Sequence, residues 1–140
     1  MTRPSIVLAL AMLGVPLASA AVQPSLYERM GGEPVVRSVV SDLIDEDASD
    51  PKLKRSFAKV DLKRLKKEVT EQICALAGGP CHYSGDSMRD AHAGLGITQA
   101  EFYGMVAALR EDLRRHGVGL RERNELLALL APMKRDVVER

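Results

Sequence analysis

Between Asp61 and Ala77 the chain sets Leu62, Leu65, Val69, Ile73 and Leu76 at intervals of three and four residues, and leaves Lys63, Arg64, Lys66, Lys67 and Glu71 between them. With about 3.6 residues per turn, this spacing gathers the apolar side chains on one face of a helix and sends the charges to the other. Gly78-Gly79-Pro80 follows at once. It stops the helix, because glycine takes the left-handed cap conformation and proline cannot donate the next hydrogen bond. A helix with one apolar face is stable only against a second apolar surface, which the rest of the chain must supply.

The other patterned segments also read as helices. Ser25 to Met30 opens with Ser25 and Glu28 spaced as a capping box and closes at Gly31-Gly32. Pro34 suits the first turn of a second helix, whose stripe of Val35, Val36, Val39, Val40 and Leu43 stops at Asp50-Pro51. Its β-branched content leaves a strand over Val35 to Val40 as the competing reading. Thr98-Gln99-Ala100-Glu101 is a second capping box, opening a helix with Phe102, Met105, Val106, Leu109 and Leu113 inward and ending at His116-Gly117. A last helix runs from Arg121 through Leu126, Leu127, Leu129 and Leu130 to Val137 and Val138, interrupted at Pro132. From Pro80 to Gly96 the pattern is poor, with room for one helical turn from Met88 to His92. The expectation is an all-α domain of five or six helices.

The content of 46% apolar and 28% charged residues in 140 suits one compact domain. Twenty Lys and Arg are interspersed with 19 Asp and Glu, so no basic arm exists and a nucleic-acid partner is not expected. Residues 1–20 stand apart: Arg3, the apolar run Ile6 to Leu13, and Ala18-Ser19-Ala20 have the form of a secretory signal peptide with its cleavage site. A retained anchor is the competing reading, but the run is shorter than the roughly 20 residues a spanning helix needs and Pro16 breaks it. The domain is then residues 21–140, periplasmic or secreted, with no stable membrane insertion after cleavage. In an oxidising compartment Cys74 and Cys81, flanking the Gly78-Gly79-Pro80 turn, are expected to form a disulfide. Two reduced core thiols are the alternative if the leader reading fails. A zinc site is poorly supported, since His82 adds at most a third ligand to Cys74 and Cys81, and C-x-x-C-H is absent.

The run Met88-Arg89-Asp90-Ala91-His92-Ala93-Gly94-Leu95-Gly96-Ile97-Thr98, preceded by Gly78-Gly79-Pro80 and Tyr83-Ser84-Gly85, strongly resembles the proximal region of group I truncated haemoglobins. Leu26-Tyr27-Glu28-Arg29-Met30-Gly31-Gly32 resembles that family's opening helix. The resemblance implies a two-over-two helical sandwich holding non-covalent haem b, with His92 as the iron's protein ligand. It further implies Phe57 packed on the haem face, and a pocket wall of Ile44, Leu65, Val69, Ile73, Met88, Phe102 and Met105. Neutral imidazole is a good ligand for haem iron, which agrees with that role for His92. His82 and His116 are expected to be exposed, with His82 the candidate for any second axial ligand.

Two departures from the family bear on function. Ile44 stands where many members carry a tyrosine and Val69 where they carry a glutamine, so both expected hydrogen-bond donors to a gas ligand are replaced by apolar groups. Where some relatives supply an internal sixth ligand this chain has Glu68, or Lys67 in a register shifted by one. Lys66, Lys67 and Glu68 on a solvated face is the plainer reading. The resemblance implies binding of nitric oxide, carbon monoxide and, more weakly, oxygen, with nitric oxide dioxygenase-like or weak peroxidase activity as extensions. The competing functions are electron transfer or redox sensing with an unidentified electron donor and an internal sixth ligand, and a haem-free adaptor.

Overall fold

The computed structural model describes residues 21–139; the leader read at residues 1–20 lies outside the described residues. The helices are α1 (Leu26–Met30), α2 (Gly32–Ser49), α3 (Leu62–Leu76), α4 (Met88–His92), α5 (Gln99–Arg115), α6 (Leu120–Leu130) and α7 (Lys134–Val137), with single 3-10 turns at Lys54–Phe57 and Ala131–Met133. No strand occurs among the described residues, as an all-α chain requires.

Burial decides the competition over Val35 to Val40 in favour of helix. Val36, Val39, Val40, Leu43 and Ile44 recur along one side of α2 and are each at most 2% exposed, where α2 packs against both α3 and α5. Burying each such side chain contributes about 1.5–3 kcal/mol. That exceeds the few tenths by which β-branched residues disfavour helix. With α5 also packed on α6, two helix pairs cross through the α2–α5 contact and enclose the core.

Local signals place the helix ends. In the first capping box the Glu28 carboxylate accepts from the Ser25 amide at 2.7 Å, and in the second Glu101 accepts from the Thr98 amide at 2.8 Å. Asp61 caps α3 by accepting from the amides of Lys63 and Arg64. Gly31 stands at φ 111° between α1 and α2, a left-handed conformation that frees the chain to reverse there. The final helix begins at Leu120, one residue earlier than its pattern, and Pro132 divides it into α6, a 3-10 turn and α7. Leu129 is 40% exposed, because its face of α6 is turned from the core that Leu126 fills.

Cys74 and Cys81 are disulfide-bonded, their Cα atoms 5.8 Å apart. The bond ties the buried end of α3 to the irregular segment leading to α4. Gly79 sits inside this turn, where a Cβ atom would come within 2.5 Å of the Cys74 Sγ and 2.8 Å of the Tyr27 ring. Gly79→Ala is therefore expected to destabilise the fold on the order of 1–2 kcal/mol, read as a lower denaturation midpoint in urea at unchanged slope.

Candidate functional site

The two helix pairs do not close completely on one another. Between α2, α3, α4 and α5 lies a cleft of about 520 Å³, bounded at its far end by Leu130, Met133 and Val137. Its size is that of a small-molecule site, and most of its wall is apolar. Ile44, Phe57, Leu65, Val69, Ile73, Met88, His92, Phe102 and Met105, the residues singled out in the sequence, all lie on its lining. Ile44 and Ile73 are buried, and the other seven are half-buried. Leu130, Met133 and Val137 join them from the C-terminal segments, with no sequence signal beyond ordinary apolar character.

His92 ends α4, a single helical turn started by Ser87, whose hydroxyl accepts from the Asp90 amide. The His92 Nδ1 lies 2.8 Å from the carbonyl oxygen of Met88. A carbonyl oxygen only accepts, so Nδ1 carries the hydrogen, and in the neutral ring Nε2 is the nitrogen that keeps its lone pair. This is the arrangement that prepares an imidazole to ligate a metal: one nitrogen fixes the ring while the other remains a donor of electrons.

The glycine-rich turn after His92 is held from both sides. Arg55 donates to the carbonyl oxygens of Leu95 at 2.8 Å and Gly96 at 3.0 Å, and its Nε pairs with Glu101 at 2.6 Å. The Glu139 carboxylate accepts from the amides of Gly94 and Gly96, each at 2.8 Å. The Arg55 guanidinium, with the Thr98 donors, pulls the Glu101 carboxyl down to about 2. A carboxyl lowered on folding stabilises the native state above its ordinary value and loses that contribution as pH falls toward 2. Arg55→Met is thus expected to flatten the acid limb of the stability curve between about pH 4.5 and pH 2, measured by denaturation across that range.

The cleft mouth is charged. Arg64 and Glu68 both lie on the lining and pair at 2.7 Å, and Lys59 lies on the lining too. Lys66 is instead engaged by Asp45 and Ser41, and Lys67 by Glu71 and Ser84. Of the two registers, the one with Glu68 toward the cleft is the one observed. His82 is exposed and off the lining. His116 is half-buried rather than exposed, because the α2–α5 packing brings its Nε2 to 2.7 Å from the Asp42 carboxylate. No cluster of three His, Cys, Asp or Glu residues with metal-holding geometry occurs among the described residues.

Residues 25–139 match the family model of a bacterial-like globin. The chain is a bacterial-like globin. It is similar to the group 1 truncated haemoglobin of Mycolicibacterium paratuberculosis, 33% identical over 114 residues that make up 81% of this chain and 83% of the relative. The group 1 truncated haemoglobin of Tetrahymena pyriformis is 27% identical over 81% of this globin and 94% of its own length. The crystal structure of the Tetrahymena pyriformis protein in its Fe(III) form superposes with a TM-score of 0.79 at 26% identity, covering 84% of this chain and all 100% of that one. A 2/2 haemoglobin from Synechococcus gives 0.76 at 25% identity over the same shares. The crossed pairs α2–α3 and α5–α6 are accordingly the two layers of the two-over-two sandwich.

Haem b is the cofactor of this globin, and the cleft satisfies what the group requires. An apolar void receives the porphyrin face. Lys59 and Arg64 are exposed cations on the lining and could pair with the propionates. The His92 imidazole, with its Nε2 lone pair free, meets the lining. His92 would hold the iron, and Phe57, Phe102 and Met105 would pack on the ring. The sequence pointed to each of these residues, but not to the Arg55 and Glu139 clamp, whose members lie about 40 positions from the turn they hold.

Proposed function

We propose that this globin is an exported haem protein that takes up diatomic gases through His92-ligated iron, with nitric oxide and carbon monoxide favoured over oxygen. The observation that carries the reading is the character of the cleft wall. Ile44, Leu65 and Val69 offer no hydroxyl or amide hydrogen to a ligand, and all three lie on the lining. Oxygen retention in haem pockets depends on such donors more than carbon monoxide binding does. Bound haem supplies a site for reversible gas coordination; the chain excludes water, orients the ring and holds the imidazole in its ligating tautomer.

Export is supported by the leader-like residues 1–20 and by the disulfide, which suits an oxidising compartment such as the periplasm. Nitric oxide dioxygenase-like turnover or a weak peroxidase reaction would extend this function and would need an electron donor. Electron transfer through an internally six-coordinate haem has less support, because Glu68 is tied to Arg64 and His82 lies away from the lining.

The test is to purify the chain from Ala21, add haem, and record ferric, ferrous and carbon monoxide spectra beside His92→Ala. The expected result is a Soret band altered in the variant and a five-coordinate ferrous form that shifts on carbon monoxide. A six-coordinate ferrous spectrum that resists carbon monoxide would establish the electron-transfer reading instead, and absence of haem uptake would overturn both.

A further inference from the structure

The single helical turn that ends in His92, α4, packs chiefly against α7. The chain then runs through Gly94 and Gly96, which stand at φ 76° and 60°, the left-handed conformation that glycine adopts without strain. Their amides converge on one carboxylate: Gly94 donates to Oε1 of Glu139 and Gly96 to Oε2, each at 2.8 Å. Convergent amides form a concavity of positive potential suited to an anion, and here the chain supplies the anion itself. The Glu139 amide also donates to the Ile97 carbonyl oxygen, so three bonds, each of 2.8 Å, fasten Glu139 to residues 94–97.

The turn is coupled in its place to the histidine. The Leu95 amide donates to the His92 carbonyl oxygen at 3.2 Å, while the His92 ring is fixed from the other side through Nδ1 and the Met88 carbonyl oxygen. The segment that carries Glu139 is well anchored. Val137 is buried on the cleft lining, Asp136 pairs with Arg89 of α4 at 3.1 Å, and Lys134 donates to Gln99 and Tyr103 of α5. Residues 134–139 therefore grip the histidine helix twice, Asp136 ahead of His92 and Glu139 behind it.

We propose that Glu139 is a positioning residue of the haem site, its carboxylate fixing where His92 is held relative to the iron and so setting the strength of the iron–imidazole bond. The proposal rests on the haem reading above. It makes residues 134–139, and not the cleft wall alone, a determinant of how firmly the group is retained, because a metal ligand binds best when its own supports are rigid.

The test compares the ferrous holoprotein in wild type, Glu139→Gln and Glu139→Ala by resonance Raman spectroscopy of the iron–histidine stretching band, by amide hydrogen exchange across Gly94 to Gly96, and by haem transfer to a competing apoglobin. The glutamine side chain has one acceptor oxygen where glutamate has two, so it can serve only one of the glycine amides. The expected result is a band displaced in Glu139→Ala and less so in Glu139→Gln, with exchange protection lost in the same order. Haem loss from Glu139→Ala should be about tenfold faster, at the low end of the effect of partners that orient a metal ligand. Arg29→Met, which removes the contact of α1 with Glu122 and Glu125 of α6, should lower the melting temperature and leave the band in place, which separates positioning from general loosening. A band unmoved in Glu139→Ala would mean that Arg55 suffices to hold the turn and would overturn the proposal, as would an equal displacement in Arg29→Met. Failure of the wild-type chain to take up haem would instead overturn the functional reading, and this proposal with it.

Discussion

Glycine at position 92 is expected to leave a folded globin whose haem is poorly held and whose spectra are restored by free imidazole. His92 is half-buried on α4, and its ring is tied to the chain by one bond, from Nδ1 to the Met88 carbonyl oxygen. Removing it opens a space with the shape of imidazole and costs the fold little core. Loss of a partner that merely orients a metal ligand typically weakens binding by about 10–100-fold, so loss of the ligand itself should cost at least about a hundredfold in haem retention. The measurement is haem transfer to an excess of a competing apoglobin, with and without imidazole. Rescue by imidazole would show that the defect is the missing iron ligand. Unchanged retention in the glycine variant would mean that another residue holds the group.

The second large effect concerns the disulfide. Cys74→Ser with Cys81→Ser, or reduction of the wild-type protein, is expected to lower stability by about 2.5 kcal/mol. The bond closes a short loop with a sequence separation of seven, and the chain-entropy cost of such a loop in the unfolded state is of that order. For a domain of this size the melting temperature should fall by roughly 10 °C. Cys74 is fully buried at the end of α3, while Cys81 begins the segment running through Tyr83 to Met88, both on the cleft lining. The loss should therefore appear at the site as well, as faster haem release. Thermal denaturation with and without reductant checks it, and coincident curves would mean that the bond does not contribute in solution.

Much of the fold was legible in the sequence because its signals are local. The stripe Leu62, Leu65, Val69, Ile73 and Leu76, both capping boxes and the Gly78-Gly79-Pro80 stop each act within a turn or two of chain, and helices appear where they predict. Membership of the globin family was legible for a similar reason, since the run around His92 is contiguous. The segment Val35 to Val40 shows the limit. Local preference left helix and strand open, and only packing against α3 and α5 decided between them.

The rest depends on contacts between residues far apart in the chain. Leu129 and Leu126 carry the same apolar label, yet one is 40% exposed and the other fully buried, because the packing of α6 against α5 and α1 covers only one of its faces. Arg55 and Glu139 read as ordinary surface charges until the fold brings them to the turn after His92. Asp47 is one of several acids along α2, and nothing in its neighbours marks it as the one enclosed without a partner. By itself, then, the sequence determined the helices, their ends, the histidine and the apolar wall, since these follow from periodicity and residue type. Tertiary structure alone decided which histidine nitrogen stays free, what clamps its turn and which carboxyl is enclosed without a partner, since burial and long-range hydrogen bonding exist only once the helices have packed.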